Sequence, residues 1–153
     1  MIKLDQVDRQ ILHILQRDAK ATIKDIGLRL NLSSTPIFER IKKMNTAGLI
    51  VKHVTLINPD LVELSLCVFV HISIIDHSKQ AIDAFVDQIN EFDEVLECHH
   101  VSGKSDFLMK MRHKDISTYN DFVLEKISIV PNIANIETSF SLSVRKYTTA
   151  LPL

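Results

Sequence analysis

Residues 32–50, LSSTPIFERIKKMNTAGLI, constrain this chain more than any other stretch. Ser33 is a good N-cap, because its hydroxyl can take an orphan backbone N–H at a helix start. Pro36 falls in the first turn, where a missing N–H does no harm. Ile37, Ile41 and Met44 recur at i, i+4 and i+7, an apolar stripe facing a core. Thr35, Glu39, Lys42 and Lys43 point the opposite way, with Phe38 at their flank. Gly48 supplies the stop. A short helix with an apolar back, a polar front and two lysines near its end suits the DNA major groove.

The preceding residues extend this pattern. Thr22 and Asp25 make a capping box for another helix, with Ile23, Ile26 and Leu30 on its inner stripe. Asn31-Leu32-Ser33 then leaves room for a tight turn, and Asn31 tolerates the left-handed conformation such a turn requires. Helix, three-residue turn, helix is the helix-turn-helix unit. Upstream, Asp5 and Asp8 can cap a first helix with Val7, Ile11, Ile14 and Leu15 inside. Residues 1–52 are therefore expected to form a three-helix, (winged) helix-turn-helix domain.

Charge divides the chain in the same place. Overall, 18 Lys+Arg stand against 19 Asp+Glu, a net of −1. Positions 1–52 hold ten basic and five acidic side chains, a net of +5, and the remainder eight and fourteen, a net of −6. Only the first part is suited to a polyanion. Lys42, Lys43, Arg40 and Lys52, with Lys24 and Arg29 behind them, are candidate phosphate contacts. Arg40 lies at the edge of the apolar stripe. It reads equally well as a phosphate contact or as a brace to a carboxylate such as Asp25.

Residues 53–64 read as an extended linker. From 65 to 153 the hydrophobic period alternates between two and 3.6. Strands are expected at 66–74, 95–101, 107–113 and 136–146, with one helix at 79–92 and another that has Tyr119, Phe122, Val123, Ile127 and Val130 inside and ends near Pro131. The order β-α-β-β-α-β is the ferredoxin-like split βαβ arrangement, so the fold class is α+β. Right-handed crossovers place both helices on one side of a four-stranded sheet. The first strand is apolar on both sides, with Val68, Val70, Ile72 and Ile74 facing one way and Cys67 and Phe69 the other. An uncovered apolar face points to a homodimer formed through this domain. Cys67 and Cys98 lack CxxC spacing and fit a reducing compartment. The apolar runs are too short for a bilayer, and the start of the chain shows no signal-peptide pattern, so the expected location is the cytoplasm.

These motifs together resemble the Lrp/AsnC family of transcription regulators. LDQVDRQILHILQRDAK is similar to the family's opening helix, LSSTPIFERIKKMNTAGLI to its recognition segment, and LECHHVSGKSDFLMKMRHKDISTY to the signature of its ligand domain. The STP, ER, ECH, VSG and SDFLMK pieces look closer to the leucine-responsive branch. The resemblance implies DNA contacts from Ser33, Ser34, Thr35, Phe38, Glu39, Arg40, Lys42 and Lys43. It also implies dimers that assemble into octamers, and an amino-acid effector bound between dimers. Carried over by position, the effector residues are His100, Val101, Ser102, Gly103 and Asp106, with Ile116, Ser139 and Phe140 as further walls. Backbone amides at Ser102-Gly103 would receive a carboxylate and Asp106 an ammonium group. The chain departs from the family pattern at Asn31, where a turn glycine is usual, and at His100, Lys104-Ser105 and Ser139, which make the expected pocket more polar.

Other chemistry finds less support. On a strand, Cys98 and His100 face one side and His99 the other, so the three cannot converge on a metal. There is no Ser/His/Asp array or glycine-rich phosphate loop, so neither a catalytic site nor a cofactor is expected. The expectation is a sequence-specific DNA-binding regulator that responds to a small effector. The alternatives are a ligand-independent architectural DNA-binding protein and a tetrapyrrole-binding enzyme of similar fold.

Overall fold

A computed structural model describes residues 3–153. The chain divides into two compact units, one of residues up to 56 with Lys146–Leu153, the other Ile57–Arg145. No described helix is long and apolar enough to cross a membrane.

The first unit holds α1 (Gln6–Leu15), α2 (Ile23–Leu30) and α3 (Ser34–Thr46). Asp5 and Asp8 close a capping box on α1, and Thr22 and Asp25 another on α2. The core is Ile11, Leu12, Ile26, Ile37 and Met44, against which Val7, Ile14, Leu15, Ile23, Leu30 and Ile41 pack. The expected inner stripes are therefore the real ones, with Leu12 added. No strand forms among the described residues 51–58, where the expected wing would follow α3.

The linker is not extended throughout. Asn58 caps a 3-10 turn, Pro59–Val62, by accepting the Asp60 N–H. The last eight residues, expected with the second domain, cluster with the first. Gln16 both accepts the Leu151 N–H (2.6 Å) and donates to its carbonyl (3.3 Å).

The second unit is a four-stranded sheet in the order β2-β3-β1-β4, from β1 (Leu66–Ile74), β2 (Val95–His100), β3 (Phe107–His113) and β4 (Ile133–Phe140). β1 is antiparallel to both β3 and β4, and α4 (Lys79–Asn90) and α5 (Ile116–Glu125) complete the ferredoxin-like order. One core holds Val68, Val70, Ile72 and Ile74 of β1, Phe107, Met109 and Met111 of β3, and Phe85, Ile89, Tyr119 and Phe122 of the helices. Both helices thus lie on one side of the sheet.

α4 and β2 end one or two residues short of expectation, at Asn90 and His100, and larger differences lie further along. α5 stops at Glu125, and a 3-10 turn, Ile127–Ile129, carries Ile127 into the core. There the Ser128 hydroxyl donates to the Val123 carbonyl (2.8 Å), a local bond that competes with the helical ladder. β4 begins three residues early, across an irregularity at Ser73/Ile74, and ends at Phe140. Its alternating pattern runs on through Leu142 and Val144, but the ladder with β1 closes at Val68 opposite Phe140 and a last bond from the Ser141 N–H to the Cys67 carbonyl (3.0 Å), and Leu142 is 99% exposed. Finally, the uncovered sheet face is not an apolar one. Around Phe69 and Leu108 it carries His71, Ser73, Lys110 and Arg112, with Lys110 paired to Glu97 (2.7 Å).

Candidate functional site

The geometry of α3 begins in the turn before it. Asn31 is left-handed (φ 54°), and the Leu32 N–H donates to the Gly27 carbonyl at 2.9 Å. Gly27 is what allows the chain to turn so close, since a Cβ there would meet the Leu32 oxygen at 2.7 Å. Nothing in the hydrophobic pattern marks Gly27; only the path of the turn reveals it. Ser33 occupies the N-cap position of α3 with extended backbone, but its side chain makes no capping bond. The expected hydroxyl cap is thus absent, which leaves Ser33 and Ser34 exposed at the helix start. At the other end Gly48 (φ 70°) turns the chain, with Leu49 N–H to Met44 O (2.9 Å) and Gly48 N–H to Asn45 O (3.0 Å).

Between these ends Ile37 and Met44 are buried, while Thr35, Phe38, Glu39, Lys42 and Lys43 are exposed. Glu39, Lys42, Lys43, Thr46 and Ala47 line a shallow hollow on that outer face. Arg40 stands apart from them. Its guanidinium donates to Asp5 (2.6 Å) and Asp8 (2.7 Å), which braces α3 to the capping box of α1. Those two hydrogen bonds raise the arginine's pKa. The Asp8 N–H, then Arg40, lower that of Asp5. Of the two open readings of Arg40 the structure shows the brace, with Asp5 and Asp8 in place of Asp25. Arg29 lies 3.6 Å from Asp18.

The β2–β3 connection holds the other expected site. Val101 N–H donates to Asp106 O (2.8 Å) and closes a tight loop over Ser102–Ser105. Gly103 has φ 143°, a conformation that other residues rarely adopt, though a Cβ there would meet nothing. Asp106 is already engaged. Its carboxylate accepts the Ile74 N–H (2.8 Å) and lies 3.0 Å from His77 Nε2, and these contacts, the backbone one first, hold its pKa down. His100 stacks on Phe107 (centroids 4.8 Å apart).

The eight expected effector residues do not form one pocket within the chain. His100 is level with Phe107 and Ile72, whereas Phe140 is level with Val68 and Ser139 with Phe69. Four residues of β1 separate the two groups, about 13 Å at the rise of a strand. Ile116 lies beyond them, after β3 has passed Leu66, and is 61% exposed; Phe140 meets Tyr119 edge-on. Beside the loop, a polar cavity of about 140 Å³ is lined by His71, Ser73, Lys104, Ser105, Asn135 and Glu137. None of these was an expected effector residue. They meet because the register sets His71 opposite Glu137 and Ser73 opposite Asn135.

Two family matches cover most of the chain, one on each side of the linker. The AsnC-type helix-turn-helix domain matches residues 4–45, and the Lrp/AsnC ligand binding domain matches residues 67–151. The chain belongs to the Lrp/AsnC family of transcriptional regulators. Among curated relatives of this family, the DNA-binding transcriptional activator DecR of Escherichia coli (strain K12) is 32% identical, over 98% of this chain and 99% of that one. Two solved structures are similar throughout. A transcriptional regulator of Neisseria meningitidis, determined as an L-Met complex, is 31% identical with a TM-score of 0.94, covering 98% of this chain and 97% of the other. An AsnC family transcriptional regulator from Agrobacterium tumefaciens is 36% identical with a TM-score of 0.93, covering 97% of each. As an Lrp/AsnC protein, the chain is a transcriptional regulator that couples a helix-turn-helix to a ligand-binding domain.

Proposed function

We propose that this Lrp/AsnC protein is a cytoplasmic, sequence-specific DNA-binding regulator whose assembly and DNA binding respond to an amino acid. One observation carries the DNA half of the reading. The outer face of α3 is exposed while its back is buried, and no ion pair engages Glu39, Lys42 or Lys43 among the described residues. In the major groove, Ser33, Ser34, Thr35, Phe38 and Glu39 meet base edges or the nearest backbone, and Lys42 and Lys43 sit on phosphates. Arg40 contributes by holding the helix in position.

The effector half is supported by the loop after β2 and by likeness to a regulator solved with L-Met. Asp106 pins the loop to β1, and the amides of Ser102-Gly103, for which no backbone bond forms among the described residues, receive a carboxylate. The walls at Ile116, Ser139 and Phe140 lie too far along the sheet to serve the same ligand within one chain. The site is therefore completed by a second copy, and ligand binding is coupled to assembly.

The test is thermal stabilisation of the purified protein against the twenty amino acids, followed by sizing with any hit. Binding to the folded state raises Tm by mass action. A shift from one or a few amino acids supports the sensor. No shift at millimolar concentrations rejects an amino-acid effector and favours ligand-independent, architectural DNA binding.

A further inference from the structure

The base-reading surface of α3 has a definite chemical bias. Guanine is usually read by a bidentate arginine or lysine at O6 and N7, and adenine by asparagine or glutamine at N6 and N7. The one arginine of α3 is unavailable, because Asp5 and Asp8 hold it against α1. The first three turns carry no Asn or Gln, and Asn45 lies at the far end of the helix. Lys42 and Lys43 also fall in the second half of α3, whereas it is the first half of such a helix that reaches base edges.

What the first half does offer is unusual for a surface facing a polyanion. Phe38 leaves 47% of its area in solvent, and the Thr35 methyl group stands one turn before it. Thymine, with its C5 methyl, is the base that rewards apolar contact in the major groove. Glu39 is a carboxylate that can only accept hydrogen bonds. It is repelled by phosphates and by the N7 acceptors of both purines, and its best partner there is the cytosine N4 amino group. A carboxylate in this position also penalises every sequence that lacks such a donor.

We propose that α3 specifies thymine methyl groups through Phe38 and Thr35, and a cytosine amino group through Glu39, with no contact to guanine N7. This rests on the reading of α3 as the DNA-binding helix. It adds which base atoms are read and by which residues.

The experiment begins with selection of duplexes from a library with a randomised core, on the full-length protein. The enriched duplex is then remade with deoxyuridine for every thymidine, which deletes only the C5 methyl groups, and separately with 7-deazaguanine, which deletes only N7. The wild type is expected to lose about fourfold in affinity for each contacted methyl, and less than twofold on the 7-deaza duplex. Phe38→Ala should lose part of the difference between the thymidine and deoxyuridine duplexes, and Phe38→Ala with Thr35→Ser nearly all of it, both keeping the wild-type salt slope. Phe38→Leu, which retains an apolar side chain, should recover part of the difference. Glu39→Gln should lose its preference for C·G at one position.

Indifference of the wild type to deoxyuridine overturns the proposal and leaves DNA binding by α3 standing. A larger loss on 7-deazaguanine than on deoxyuridine does the same, and would make a lysine the guanine reader. Failure to enrich any duplex overturns both the proposal and the reading of α3 on which it rests.

Discussion

Lys43 and Arg40 lie three residues apart on α3 and do opposite jobs. Lys43 is exposed and engages no carboxylate among the described residues, so Lys43→Ala is expected to weaken DNA binding on all sequences and to reduce the salt slope by about one unit. Its folding stability should hardly change. Arg40→Ala takes the partner from Asp8, whose side chain is only 12% exposed. It should lower the urea midpoint well below that of Lys43→Ala and leave the salt slope of the remaining folded protein intact. Binding titrations at several salt concentrations, paired with urea melts, separate the two; a reduced slope for Arg40→Ala would return that residue to the DNA surface. Gly27 poses a purely steric question. Gly27→Ala pushes a methyl group to 2.7 Å from a backbone oxygen. It should cost about 1–3 kcal/mol, whereas alanine in an open helix interior would be stabilising. A raised urea midpoint would show that the turn can relax away from α2.

The helices differ in how their starts are secured. α1 and α2 each have reciprocal capping boxes, but the Ser33 side chain leaves α3 uncapped. Thr22→Ala is therefore expected to cost about 1 kcal/mol, and Ser33→Ala no more than a few tenths; equal losses in urea melts would mean that Ser33 caps in solution. Free N–H groups at the start of α3 remain available to a phosphate, as helix N-termini commonly are. At element scale the sequence was mostly legible. Capping boxes, the Asn31 turn and the period of each helix are local chemistry, written within a few residues of where they act. The ends of β4 and α5 were not. Leu142 and Val144 alternate as strand residues do, yet a strand needs a neighbour, and where the ladder between β1 and β4 stops is a property of the sheet. The stop of α5 depends on a serine side chain choosing a backbone carbonyl over solvent.

Across the second unit the buried polar groups set a pH dependence. His113 is 4% exposed between Tyr119 and Phe122, with its Nε2 unpartnered among the described residues. Burial first, and then Lys126, push its pKa below the ordinary value, against the pull of Glu94. The folded protein therefore stays neutral at His113 while the unfolded chain titrates near 6.5. Its share of the stability is complete above that pH and is lost as the pH falls toward the depressed folded value. Urea midpoints should drop between pH 7.5 and 5.5, and His113→Gln should make the drop shallower by up to about 1.4 kcal/mol per pH unit, one proton's worth. An identical slope in the variant would mean that other groups govern acid stability. The divided effector residues have a consequence at the same scale. If two copies complete one site, the thermal shift produced by an amino acid should grow with protein concentration. A concentration-independent shift would place the whole site within one chain.

The sequence alone determined the element order, the fold class, the basic helix-turn-helix and the division of charge, because each follows from periodicity, capping and composition over short stretches. The tertiary structure decided the rest. It turned Arg40 toward Asp5 and Asp8, set Glu137 beside His71, engaged Asp106 with Ile74 and His77, and spread the expected effector residues along the sheet. Each of these depends on which residues stand opposite one another across a strand pair or a helix contact. Such register is set by packing of the whole core, and a local pattern of residues does not encode it.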